Sequence, residues 1–263
     1  MNITFTACSN TGLVRRNNED NLYCDGVSLT PETSEIPFLL ESTAQSPCIF
    51  AVCDGMGGES DGELASLTAV STLNEYADSI KSAVLSKSLD SAVNDFIHDS
   101  NNRLCNIMKA RSSSMGTTLA LAVVTGSRVH AYNLGDSRIY TLKDNIFSLI
   151  SEDQTMAAQK VKMGILTPEQ ALRDRSRNVL MRYLGVFESE MVLEAGIITP
   201  FEINTQCRML LCSDGITDMI NDSQIEAVLR NAPDTSNAAK TLINNAMANG
   251  GRDNATCIVI EIK

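Results

Sequence analysis

The 263-residue chain has no tryptophan and only two histidines, and aromatics make up 5% of it. Its core must therefore rest on Leu, Ile, Val, Ala and Met, and imidazole bases are scarce. His98 and His130 each fall inside a periodic segment, which suits a structural role. Positive charge is also short. The 21 Lys and Arg face 32 Asp and Glu, and the net charge of −11 argues against a nucleic-acid or anionic-membrane surface. That charge also repels phosphates, unless metal ions reverse the local field. No apolar run approaches the ~20 residues needed to span a bilayer, and the N-terminus MNITFTACSN lacks a basic leader segment. The eight cysteines make no C-x-x-C pair and no zinc-like spacing. Cys48, Cys53, Cys212 and Cys257 lie in or beside apolar runs, as reduced core thiols would, so a soluble, cytoplasmic protein is expected.

What the chain does contain is centred on IFAVCDGMGG, residues 49–58. Five apolar residues predict a strand buried on both faces, Asp54 stands where it emerges, and Gly55, Gly57 and Gly58 predict a sharp turn. One Asp-Gly after a strand is ordinarily only a turn. Here the pattern recurs as MLLCSDG with Asp214, while Asp253 precedes the apolar run 257–262. Carboxylates at the ends of separate buried strands can converge on one rim, where a bound cation offsets their cost.

Around this stretch the periodicity predicts strands over 2–7 and 21–25, then a long surface connection or insertion over 28–47. Helices are expected over 64–80 and 89–110, as an antiparallel pair on a sheet. Strands over 118–124, 128–134, 138–142 and 146–150, joined by short turns, read as an antiparallel meander. Residues 151–180 are charged and helix-prone, with Thr167-Pro168-Glu169 as a helix start. Strands return at 193–198, 208–213 and 255–262, with short helices at 223–231 and 236–247. No repeat or linker divides the chain, so one α+β domain over residues 1–263 is expected.

The candidate constellation is Glu19, Asp20, Asp54, Asp136, Asp214 and Asp253, with Arg15 nearby. Carboxylates without His or Cys suit hard cations, Mg²⁺, Mn²⁺ or Ca²⁺, and two such ions can activate one water. Asp54 is the natural bridge, the Gly55 carbonyl a further ligand, and Arg15 a planar fork for a phosphate.

Seven motifs in order, GLVRRNNED (12–20), VCDGMGG (52–58), MGTTLALAV (115–123), NLGDSRIY (133–140), RNVLMRYLG (177–185), LLCSDGITD (210–218) and GGRDNATCIVI (250–260), resemble those of the PPM (PP2C-like) metal-dependent protein Ser/Thr phosphatases in their compact bacterial form. The resemblance implies a four-layer α-β-β-α sandwich, two antiparallel sheets flanked by antiparallel helix pairs. It implies two Mn²⁺ or Mg²⁺ ions with a weaker third, and phosphoester hydrolysis by direct attack of a metal-bridging hydroxide. Carried over residue by residue, Asp54 bridges the ions, Asp214 and Asp253 complete one shell, and Glu19 and the Gly55 carbonyl serve the other. Asp20 orients waters from behind, Asp136 and Asp214 hold the third ion, and Arg15, not Arg16, binds phosphate. Residues 151–180 become the flap beside the active site. Where some eukaryotic members carry a His, this chain has Met56, so no protein general acid is named. The juxtamembrane tail of some bacterial members is expected to have no counterpart. The implied partners are phosphorylated proteins, including a Ser/Thr kinase and its targets, met by a monomer, with neither nucleic acid nor membrane.

Two other readings compete. A non-catalytic, phosphoprotein-binding relative would be expected to have lost some of these carboxylates. A serine hydrolase built on Gly135-Asp136-Ser137 would need a His base.

Overall fold

The structure is a computed structural model that describes residues 2–30, 33, 37–58, 61–86 and 88–263. In chain order the strands are β1 (Ile3–Asn10), β2 (Asp20–Cys24), β3 (Val27–Ser28), β4 (Phe38–Ala44), β5 (Cys48–Gly57), β6 (Met115–Thr117) and β7 (Leu119–Thr125). There follow β8 (Arg128–Leu134), β9 (Arg138–Lys143), β10 (Ile146–Leu149), β11 (Gly196–Glu202), β12 (Cys207–Cys212) and β13 (Ala255–Ile262). The helices are α1 (Asp61–Ser86), α2 (Leu89–Arg111), α3 (Met156–Lys162), α4 (Pro168–Ala171), α5 (Asp214–Thr217), α6 (Asp222–Asn231) and α7 (Thr235–Ala248).

Two antiparallel sheets face each other. One runs β10-β9-β12-β13-β1-β4, the other β11-β8-β7-β5-β2-β3, with β6 paired to the end of β5. The alternation of side chains along the central strands explains the stacking. In β5, Cys48, Phe50 and Val52 face the opposite sheet, whereas Ile49, Ala51 and Cys53 face α1 and α2. In β13, Ile258, Ile260 and Ile262 point inward, while Cys257 and Val259 point to α5, α6 and α7. Both strands carry continuous apolar stretches, Cys48–Cys53 and Cys257–Ile260, because neither face meets water there. The four layers thus enclose three apolar clusters, and Phe5 meets Phe50 edge-on across the middle one at 5.0 Å. The expected α-β-β-α sandwich is what the chain forms. All eight cysteines are buried and free. No helix among the described residues is long and apolar enough to cross a membrane.

Several expectations need correction. The predicted meander is split. β7 and β8 pair in one sheet and β9 and β10 in the other, because the chain crosses between sheets at Gly135-Asp136-Ser137, where Gly135 has φ +95°. Short turn-like residues look the same whether they close a hairpin or change sheets. The sharp glycine turn after Asp54 is also absent: β5 continues through Gly57 and pairs with β6. The 28–47 connection contains an edge strand, β4, which pairs with β1; residues 31–32 and 34–36 of that stretch lie outside the described ones. The strand expected at 193–198 is β11, shifted to Gly196–Glu202. Residues 151–180 are mostly turns around two short helices, although the Thr167 start is correct and carries a capping box with Gln170.

Candidate active site

Both sheets end at one rim, and each contributes acids to it. In β2 and β5, Asp20 and Asp54 are direct cross-strand partners. From the other sheet come Asp214, just after β12, and Asp253, just before β13. Asp136 sits on the crossing between the sheets.

The two sheets are laced together at this edge. Asn254, buried, accepts from the Glu19 N–H at 2.8 Å, and its Nδ2 donates to the Thr11 and Asn17 carbonyls at 2.8 and 2.9 Å. The Gly55 N–H in turn donates to the Glu19 carbonyl at 3.1 Å. Glycine is required after Asp54 and after Asp214 by close approach. A Cβ on Gly55 would lie 2.0 Å from the Gly62 carbonyl oxygen, and one on Gly215 would lie 1.8 Å from that of Asn254. The Asp54 N–H donates to Thr118 Oγ1 at 2.9 Å and its carbonyl accepts from the Thr118 N–H at 2.9 Å. Arg15 donates through Nη2 to Asp253 Oδ2 at 2.7 Å while its guanidinium stays half-exposed.

Removal from water raises the carboxyls, and their mutual repulsion adds to it. Asp54 is pushed well above the usual carboxylate range, by burial first and then by Asp20, Asp214, Asp136 and Asp253. Burial lifts Asp136 to about 8, with Asp214 and Asp153 adding to it. Asp214 rises to about 6 through burial, Asp218 and Asp253. Asp20 rises to about 7 through burial, although hydrogen bonds from Thr256 and Ser213 oppose it; the Ser213 hydroxyl donates to its Oδ2 at 2.7 Å. Glu19 is raised by burial, against the pull of Arg15. All the acids singled out in the sequence therefore reach one region, and they sense one another's charge.

Among the described residues, no group of three or more His, Cys, Asp or Glu side chains is already drawn together closely enough to hold a metal ion. What unites the carboxylates is an excess of negative charge, with hard oxygen donors and no sulfur or imidazole. This donor set fits Mn²⁺ or Mg²⁺ and fits zinc or copper poorly. Asp136 and Asp214 also line a cleft of about 320 Å³ whose other wall includes Ala157, Val161, Leu172 and Arg177. Arg177 Nη2 donates to Asp218 Oδ2 at 2.6 Å.

A family model described as protein phosphatase 2C matches residues 38–249. The chain belongs to the protein phosphatase 2C family. A serine/threonine phosphatase, stp, of Listeria innocua is 30% identical to this phosphatase over 254 residues, covering 95% of this chain and 92% of that one. The serine/threonine protein phosphatase PstP of Mycobacterium tuberculosis is 32% identical over 99% of this chain, which spans 45% of PstP. A crystal structure of the M. tuberculosis phosphatase superposes with a TM-score of 0.81 at 31% identity, over 100% of both chains. A structure of the PstP catalytic domain in complex with two manganese ions gives 0.79 at 28% identity, also over 100% of both.

The serine-hydrolase reading fails on geometry. The Ser137 hydroxyl pairs with Thr118 Oγ1 at 2.6 Å, and the histidines lie elsewhere, in α2 and β8. Sequence reasoning missed Asn254, Ser213, Thr118 and the Arg177–Asp218 pair. Asn254 and Ser213 are chain neighbours of named acids, and Asp218 lies one helical turn beyond Asp214, but none carried a signal of its own.

Proposed function

We propose that this phosphatase hydrolyses phosphoserine and phosphothreonine in proteins, at the rim where Asp54, Asp136, Asp214, Asp253 and Glu19 gather. The observation that carries this reading is the crowding of buried carboxylates from both sheets at one rim, where Asp54, Asp136 and Asp214 are raised by burial first and by neighbouring acids second. Such a rim lacks only positive charge. Two Mn²⁺ or Mg²⁺ ions, when bound, supply it, together with an activated water for direct displacement at phosphorus. Asp54 would be shared between the two ions, Asp214 and Asp253 would complete one site, and Glu19 with the Gly55 carbonyl would form the other. Asp136 and Asp214 provide a weaker third position. Asp20, held by Ser213, orients solvent behind them.

Arg15 is the phosphate fork. One Nη is engaged by Asp253, and the half-exposed remainder of the guanidinium is free to face equatorial phosphate oxygens. No Cys or His is placed to form a phosphoenzyme, which supports direct transfer to water. The substrates are phosphorylated proteins, a Ser/Thr kinase and its targets among them, met by a monomer in the cytoplasm. The full set of acids speaks against a binding-only role.

Purified protein should release phosphate from a phosphothreonine peptide and from p-nitrophenyl phosphate in Mn²⁺, and stop in EDTA. Asp54→Asn or Asp214→Asn should abolish turnover in a folded protein. Activity that survives both substitutions would refute the assignment.

A further inference from the structure

In a chain of net charge −11, residues 156–182 carry six Lys and Arg against two Asp and Glu. The same stretch exposes large apolar side chains, among them Met163, Ile165 and Leu172, each more than 60% accessible. Three of its cations are spoken for. Lys160 pairs with Asp174, Lys162 with Glu152 and Arg177 with Asp218.

Arg173 and Arg175 are exposed, and neither guanidinium meets a carboxylate among the described residues. Asp174, between them, is turned away. Its Oδ1 accepts from Lys160 Nζ at 3.1 Å and from the Ser176 N–H at 2.9 Å. Those bonds, the Ser176 ones foremost, hold its carboxyl down to about 2, so it stays charged but already satisfied. In sequence, Leu172 and Arg177 flank this pair, and both line the cleft that Asp136 and Asp214 share. The lip of the acidic cleft therefore carries two unneutralised cations beside an apolar side chain.

We propose that Arg173 and Arg175, with Leu172 beside them, receive acidic residues that flank the phosphorylated Ser or Thr, so that the preferred substrates are acidic phosphopeptide segments. This rests on the hydrolase reading above. Asp214 belongs both to the rim, where Arg15 receives the phosphate, and to the cleft lined by Leu172 and Arg177, so residues flanking that phosphate reach this lip along the cleft. The acids around the rest of the rim repel a carboxylate, and the lip attracts it. Exposed ion pairs are individually weak and screened by salt. Two of them give a preference of about threefold to tenfold in kcat/KM at low ionic strength, expressed mainly in KM.

The test compares two phosphothreonine peptides, one flanked by Asp and Glu and one by Ala, with p-nitrophenyl phosphate as a flank-free control, all in Mn²⁺. The wild-type protein should favour the acidic peptide, and added salt should erode the advantage. Arg173→Glu combined with Arg175→Glu should reverse the preference while leaving p-nitrophenyl phosphate turnover and Tm unchanged. Equal rates on both peptides would overturn the proposal, as would a preference that survives charge reversal. A change of oligomeric state in the double variant would instead show that the surface joins copies of the chain, and would equally overturn it. Failure to hydrolyse even p-nitrophenyl phosphate would sink the hydrolase reading, and this proposal with it.

Discussion

Asn254 carries no charge, yet its amide satisfies three backbone groups of the loop over residues 11–19 and so fixes Arg15 and Glu19. Asn254→Ala leaves buried polar groups unpaired, at about 1–3 kcal/mol each if water does not replace the amide. The expected result is a stability loss of at least ~2 kcal/mol in urea unfolding, together with a fall in phosphatase activity. Arg15→Ala should lower kcat/KM on phosphoesters by roughly tenfold to a hundredfold, the worth of a charge-assisted contact. An unchanged value would remove Arg15 from phosphate binding. Gly55→Ala drives a Cβ into backbone that cannot step aside. At this scale Asp54 and Asp214 were legible from sequence because Asp-Gly recurs after buried runs. The glycines were legible only as turns, since a close approach between Gly55 and Gly62 depends on residues that folding brings together. Asn254 was silent because one amide beside Asp253 looks like any loop polar residue.

Among the elements, the helix pairs and central strands were readable from periodicity and from continuous apolar runs. The sheet assignment of β8 and β9 was not, because Gly135-Asp136-Ser137 resembles a hairpin turn, and β4 was hidden as an edge strand with one polar face. One element-level contact fixes how α6 meets its sheet. Arg208 on β12 pairs with Glu261 on β13 at 2.8 Å, and its Nη1 donates to the Leu229 and Ala232 carbonyls at the end of α6. Both charged side chains are almost wholly buried. Arg208→Ala leaves Glu261 to Gln206 and Lys263 and strands two carbonyls, and should cost about 2–3 kcal/mol. Urea denaturation monitored by circular dichroism measures it directly, and a loss below 1 kcal/mol would show that water or Lys263 takes over.

For the molecule as a whole, the rim sets a pH dependence. A carboxyl whose folded value is raised holds its proton more tightly in the folded chain than in the unfolded one. The rim's own contribution to stability is therefore greatest in acid and falls as pH climbs from the unfolded value of 3.8 towards about 6 for Asp214, 7 for Asp20 and 8 for Asp136. In EDTA, Tm should drop between about pH 5 and pH 8. Millimolar Mn²⁺ should restore it, more at pH 8 than at pH 5, because cations compete with protons for the same oxygens. A flat profile in EDTA would mean that the carboxylates do not repel one another as described. The four-layer plan itself followed from the ordered motifs, whereas the seam between the sheets, where the acids meet, was visible only in three dimensions.

The buried thiols turn out to be distributed layer by layer. Cys53 and Cys105 lie under α1 and α2, Cys24, Cys48 and Cys207 between the sheets, and Cys8, Cys212 and Cys257 beneath α5 to α7. Each interface thus contains its own chemical clock. Timed alkylation read by peptide mass spectrometry would report, without any engineered probe, which slab of the molecule breathes first when the divalent ions are stripped away.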